Sequence, residues 1–213
     1  YESLYANTTG TYNVAVGSAA LSQNTTASGN TAVGYHALTA NTTAADNTSV
    51  GYFAGKSNTT GAYNTFIGKD AGLTNTTGTL NSFIGEYSGR LTTGSNNTFL
   101  GQQSGTYITS GTKNTIIGRY NGNQGGLDIR TSDNRIVLSD GDGNPKVYVD
   151  SGGSLWVARD GSGAGINTDI NINHKAGSGN GASFVTFRYG ANVQIGDVYQ
   201  ASTSSVGYAT SSD

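Results

Sequence analysis

Seven times in its first 118 residues the chain returns to one five-residue phrase: NVAVG at 13–17, NTAVG at 30–34, NTSVG at 47–51, NTFIG at 64–68, NSFIG at 81–85, NTFLG at 97–101 and NTIIG at 114–118. The leading asparagines, Asn13, Asn30, Asn47, Asn64, Asn81, Asn97 and Asn114, stand 17 residues apart with a single step of 16. A fixed period just under 20 residues marks a solenoid, in which each repeat is one coil and a continuous core forms only when coils stack.

Counting each repeat from its asparagine as position 1, position 4 is always aliphatic: Val16, Val33, Val50, Ile67, Ile84, Leu100 and Ile117. Position 5 is always glycine, from Gly17 to Gly118, and position 8 is small: Ala20, Ala37, Ala54 and Ala71, then Ser88, Ser104 and Asn121. A polar Asn-Thr-Thr stretch follows at 24–26, 41–43, 58–60 and 75–77. β-branched residues favour strands, while Asn and Gly tolerate turn dihedrals. Each repeat therefore reads as a short strand, a Gly corner, a small-residue segment and an Asn/Thr/Gly turn. The absence of a 3.6-residue apolar stripe, with so much Gly and Thr, argues against helix. The position 1 asparagines are expected to stack into a ladder with shared amide hydrogen bonds; the alternative is that Asn merely suits the turn before the strand.

Positions 3 and 4 are adjacent, so in a strand they point to opposite faces. Both are largely apolar, which predicts that both faces are covered, one by the coil interior and the other by a neighbouring chain. Position 3 grows along the sequence, through Ala15, Ala32, Ser49, Phe66, Phe83, Phe99 and Ile116. That growth predicts chains packed closely in the early coils and further apart in the later ones. Tyr1 falls at position 6 of a repeat whose turn is Asn7-Thr8-Thr9-Gly10, so the natural chain is expected to continue N-terminally.

Composition enters as a test of order. A hydrophobic fraction of 34% is low, but disorder normally brings high net charge and proline, and here the net charge is −2 with one proline. No basic patch or run suggests nucleic acid as a partner. No apolar stretch approaches the roughly 18 residues of a membrane-spanning helix. Without cysteine there is no disulfide framework and no thiolate nucleophile.

Beyond Gly118 the pattern changes. NGNQGG at 121–126 reads as a Gly-rich joint. Residues 135–138 and 146–149 read as strands flanking DGDGNP, with a third short strand at 154–157, together a β-meander that caps the last coil. Asp140, Asp142 and Asn144 have the alternate spacing of a calcium loop, but Ser151 stands where the twelfth-position Glu belongs, so a hairpin turn is the preferred reading. Residues 160–180 read as loop with a β-like stretch at 170–172. Strands follow at 183–189, 193–196 and 205–208. The expected architecture is all-β: a parallel β-solenoid or β-roll over 1–120, a meander connector over 121–160 and a C-terminal β-rich tip over 161–213.

The NTAVG and NTFIG phrases resemble the head repeats of trimeric autotransporter adhesins and repeats of phage tail fibres, although the 17-residue period is longer than that of the adhesin heads. The resemblance covers roughly residues 13–118 and implies three chains to a rod. The ending, FVTFRYG at 184–190, IGD at 195–197 and SVGYATSSD at 205–213, is similar to the stretch preceding the self-cleaving C-terminal chaperone of phage tail fibres and tailspikes. That resemblance implies a homotrimer and places Ser212 and Asp213 at a processing junction; none of the chaperone's catalytic residues fall within this sequence.

Little points to catalysis. His36 and His174 are the only histidines, carboxylates are scattered, and no nucleophile elbow or phosphate loop occurs in context. Neither an enzyme nor a cofactor is expected; a His174 site on a three-fold axis stays open as a minor alternative. The leading expectation is a structural component of a trimeric phage tail fibre, in the virion and outside the cell. It would attach to a host cell-surface glycan or protein and join other tail proteins at its N-terminal side. A bacterial trimeric adhesin and a tailspike depolymerase are the alternatives. Candidate receptor contacts are Tyr35, His36, Tyr52, Phe53, Tyr87 and Tyr120 near positions 6 and 7, and Arg188, Tyr189 and Tyr199 in the tip. Stacking that only stabilises the rod is the competing reading for the first group.

Overall fold

The structure is a computed structural model. It describes residues 1–157, together with the backbone of strands Ser183–Tyr189, Val193–Ser202 and Ser205–Thr210. Among the described residues every regular element is a strand. Two compact units are distinguished, Tyr1–Thr168 and Asp169–Asp213.

The first unit is a parallel β-solenoid. Its strands are β1 (Val14–Val16), β2 (Thr31–Val33), β3 (Thr48–Val50), β4 (Thr65–Ile67), β5 (Ser82–Ile84), β6 (Thr98–Leu100) and β7 (Thr115–Ile117). Each pairs in parallel with the next, equivalent residue against equivalent residue: Ala15 with Ala32, Phe66 with Phe83, Phe99 with Ile116. Coil one starts at Asn13, and the following six begin at the successive asparagines. The strands are short because position 5 turns the chain. At Gly17, Gly34, Gly51, Gly68, Gly85 and Gly101 φ lies between +124° and +140°, and a Cβ would run into the glycine backbone of the following coil. Only glycine meets both demands.

The ladder expected at position 1 is present, in a stronger form than shared amides. The Oδ1 of each asparagine accepts the backbone N–H of its counterpart in the next coil, from Asn13 to Asn30 (2.9 Å) through Asn97 to Asn114 (3.0 Å). The Nδ2 donates to a turn carbonyl, as from Asn64 to Gly78 (2.8 Å) and Asn97 to Gly111 (2.9 Å). A buried side-chain amide thus satisfies backbone groups that the three-residue strand leaves unpaired. A second ladder runs through Asn7, Asn24, Asn41, Asn58 and Asn75, the Nδ2 of each of the last four donating to the preceding Oδ1 at 2.8–3.4 Å. Beside it, Thr8, Thr25, Thr42 and Thr59 each donate both N–H and hydroxyl to the equivalent carbonyl of the next coil.

The interior differs from the expectation at position 3. Phe66, Phe83, Phe99 and Ile116 are fully buried inside the coils, not turned toward a neighbouring chain. The rings stack coil upon coil, with centroids 5.5 Å apart between Phe66 and Phe83 and 4.9 Å between Phe83 and Phe99. The space they occupy is left by position 9, where a Cβ on Gly72, Gly89 or Gly105 would lie 2.5 Å from the ring of the same coil. In coils one and two the assignment is reversed: Leu21 and Leu38 fill the interior from position 9 and Ala15 and Ala32 stand at position 3. The growth at position 3 therefore tracks an internal exchange, and it carries no information about spacing between chains.

The spacing lengthens after Asn114, but the solenoid continues. An insertion holds a small hairpin of β8 (Asn123–Gln124) and β9 (Leu127–Asp128). The chain then re-enters the sheet as β10 (Ile136–Ser139), parallel to β7, with Arg135 at the asparagine place donating its N–H to Asn114 Oδ1 at 2.9 Å. From there β11 (Pro145–Val149) and β12 (Leu155–Val157) turn the sheet antiparallel, the expected meander. The loop at Asp140–Asn144 is a hairpin turn. Asp140 Oδ1 accepts the N–H groups of Asp142 (3.0 Å) and Asn144 (2.9 Å), and Lys146 Nζ lies 3.1 Å from Oδ2. Hydrogen bonding from the Asn144 N–H, followed by Lys146, lowers the Asp140 carboxyl to about 2.

In the second unit β13 (Ser183–Tyr189), β14 (Val193–Ser202) and β15 (Ser205–Thr210) form an antiparallel sheet in that order. The β-like stretch at 170–172 and His174 lie outside the described residues.

Candidate binding surfaces

The strand face of the solenoid carries an aliphatic row. With position 3 inside, position 4 faces out in every coil, and the register extends the row from Val16 through Ile117 to Leu138 of β10. Seven of these eight side chains are exposed and Val33 is half-buried. Position 2 points the same way, as Val14, Thr31, Thr48, Thr65, Ser82, Thr98, Thr115 and Ile136, so no charged side chain stands at either position. At ordinary strand spacing the row is about 34 Å long. An exposed, uncharged row with an aliphatic side chain in every coil is a candidate interaction face.

At the corner beyond the glycines, four of the aromatic candidates form one cluster. Tyr35 and Tyr52 stack with centroids 5.3 Å apart, His36 meets Phe53 edge-on at 5.6 Å, and Lys56 Nζ lies 4.1 Å from the Phe53 centroid. Position 7 takes left-handed backbone in coils one to six, φ 55–60° at Ala19, His36, Phe53, Asp70, Tyr87 and Gln103. That conformation costs of order 1–2 kcal/mol in a non-glycine residue, and ring stacking between coils offsets part of it. Tyr35 and Tyr52 remain half-exposed at their outer faces.

Two coils on, Tyr87 belongs to a different, charged group. Its hydroxyl accepts from Lys69 Nζ at 2.7 Å, the main reason the Lys69 ammonium is raised above its usual value, and Glu86 adds to it at 3.5 Å. The Arg90 guanidinium stands 5.5 Å from the Tyr87 ring centroid. An open cleft of about 220 Å³ is lined by Tyr87, Arg90, Gln103, Thr106, Tyr107 and Asn121. Of these, sequence reasoning selected only Tyr87. The overlooked signal is the loss of the Asn-Thr-Thr pattern in coils five and six, where Thr92 and Ile108 stand in the asparagine place.

Tyr120 is corrected. It shares position 7 with Tyr87, yet it is fully buried and its hydroxyl donates to the Leu127 carbonyl at 2.7 Å. The insertion that follows it widens the end of the solenoid, and the ring fills that space beside Ile108, Ile129 and Val137. It cannot serve as a surface contact in this arrangement. Arg188, Tyr189 and Tyr199 lie on β13 and β14, opposite Gln194, Val193 and Ser183 respectively. Ser212 and Asp213 lie outside the described residues. Among the described residues no three His, Asp or Glu side chains gather as a metal site, and no helix is long and apolar enough to cross a membrane.

Compared with protein-family models, with curated proteins and with solved structures, the chain matches none. Its function must be read from its own surfaces.

Proposed function

We propose that the chain is the body of a homotrimeric fibre of the phage tail-fibre type, a structural protein without enzymatic activity that attaches a virion to a host cell surface. The observation that carries this reading is the uncharged aliphatic row on the strand face. A row that repeats once per coil is matched in spacing by any other copy of the same chain, residue for residue, so copies of the chain are the partners that cover it along its whole length. Burying it returns about 25 cal/mol per Å² of apolar surface. The repeat phrase and the C-terminal motif, through the families they resemble, support three copies and the phage setting. In this reading the glycine corner and the side beyond it stay open to a receptor, and other tail proteins attach toward the N-terminal side.

Native mass by light scattering tests the assembly. A mass of three 21.8 kDa chains, reduced to one chain by Ile84→Lys or Leu100→Lys, is the expected result. A wild-type monomer overturns it. Attachment is tested by binding of the trimer to candidate host cells. A parallel assay for shortening of capsule or lipopolysaccharide separates a binder from a depolymerase.

A further inference from the structure

We propose that the cleft between Tyr87 and Tyr107 binds a carboxylate-bearing sugar ring, of the uronic or sialic acid class. This rests on the reading of the chain as a host-attachment fibre and assigns its receptor chemistry. The cleft belongs to positions 7 to 11 of coils five to seven, past the glycine corner from the strand face, so covering the aliphatic row leaves it open.

The lining is rich in donors and holds no carboxylate. Arg90 Nε is buried and makes no hydrogen bond; it stands 3.9 Å from Asp70 Oδ2, beyond hydrogen-bond range. Asp70 thus holds the guanidinium in place without consuming its donors. Gln103 uses its Oε1 to accept from Arg119 (3.2 Å), and Asn121 uses its Oδ1 to accept the Asn123 N–H (2.9 Å). Both side chains therefore commit their acceptor atom to the protein and keep their NH₂ groups for a ligand. The Thr106 hydroxyl gives its one proton to the Tyr87 and Gln103 carbonyls. A neutral sugar presents hydroxyls that need acceptors as much as donors. A planar guanidinium with two free amide NH₂ groups calls for an anionic acceptor, and arginine meets a carboxylate bidentately. The half-exposed Tyr107 supplies aromatic surface for the apolar face of a ring. The 220 Å³ volume is below the roughly 300 Å³ at which drug-sized pockets begin, which suits one ring.

The test is ligand-observed NMR on the assembled protein with glucuronate, galacturonate and N-acetylneuraminate, and with methyl glucuronate ester as the uncharged control. At least one acid is expected to bind, with its ester about tenfold or more weaker. Arg90→Gln and, separately, Tyr107→Ala should each weaken the acid about tenfold with native mass unchanged; Tyr107 is a surface side chain, so its variant is informative if Arg90→Gln fails to fold. Equal binding of acid and ester, full affinity in either folded variant, or no binding of any acid overturns the proposal. Attachment to host cells is measured alongside. Attachment without acid binding removes this cleft and leaves the fibre reading standing, whereas acid binding without attachment keeps the cleft and removes host attachment.

Discussion

Coils one and two carry alanine at position 3 and leucine at position 9, whereas coils four to six carry phenylalanine at position 3 and glycine at position 9. The backbone course is the same in both regions, with parallel strands in identical register. The bulky group has crossed from one wall of the coil to the other while the filled interior is kept, which is how cores tolerate substitution when total volume is conserved. Leu21 and Leu38 hold φ of 51° and 50°, close to the 57–62° of Gly55, Gly72, Gly89 and Gly105, so conformation does not decide between leucine and glycine at position 9. The space beside the phenylalanine ring decides it. Coil three lies between the two regimes with small residues on both walls, Ser49 and Gly55, and a Cβ on Gly55 would press on Leu38 from one regime and Phe66 from the other.

The most damaging way to break this comparison is to disturb one partner of the exchange. Phe83→Ala empties a stacked core and should cost about 3–5 kcal/mol in urea unfolding. Gly89→Leu alone should cost about 3 kcal/mol by overpacking. Combined, they recreate the upstream arrangement, and the double variant should recover well over half of the summed loss. A double variant no more stable than the worse single one would show that the two cores are not interchangeable.

The ladders allow a second contrast. Asn64 serves two buried backbone groups, the Asn81 N–H and the Gly78 carbonyl, so Asn64→Thr should cost about 2–4 kcal/mol. At the second ladder Thr92 already stands in the asparagine place, its hydroxyl donating to the Ile108 carbonyl at 3.0 Å. Asn75 bonds the Gly78 N–H and the Gly78 carbonyl within its own turn, and that carbonyl keeps Asn64 as a second donor, so Asn75→Thr should cost less, about 1–2 kcal/mol. Equal losses in thermal melts would contradict the different duties assigned to the two ladders.

Smaller still is an expected gain at the seam. Ser49 Oγ is buried without a hydrogen-bond partner, and alanine occupies the equivalent position in coils one and two. Ser49→Ala should raise stability by about 1 kcal/mol, and a loss would place an unseen partner there. The least effect concerns acid. Asp140 titrates at about 2, below the usual carboxylate value near 4. Its ionised form stabilises the meander above pH 4, and that contribution fades as pH falls toward 2. Amide protection at Asp142 and Asn144 should drop across that window, and Asp140→Asn should remove the dependence.

The coil was legible because its punctuation is chemical: an invariant glycine where no Cβ fits, and an asparagine whose amide completes the backbone bonding. Which of positions 3 and 4 faces inward was not legible from the strand itself, since three residues alternate equally well either way. The deciding information sat six residues further on, in the leucine-to-glycine change that mirrors the alanine-to-phenylalanine change. The eighth parallel strand was hidden because Arg135 replaces the asparagine after a 21-residue step, and its bond to Asn114 uses only the backbone N–H. Tyr120 misled because a repeat position implies an orientation only while the coil keeps its length. The cleft at Arg90 escaped notice because its residues come from three coils and share no phrase.

The strand and ladder hydrogen bonds that join the coils run from coil to coil, along the stack. A pull applied to the two ends of this unit therefore loads one inter-coil layer at a time, as tearing a perforated strip loads one perforation. Each layer that yields would release a 17-residue coil, about 60 Å of contour length at full extension. A lone solenoid under tension is thus a spool that pays out in equal steps. A companion chain along the aliphatic row would bridge neighbouring layers and convert that stepwise peeling into a shared shear load.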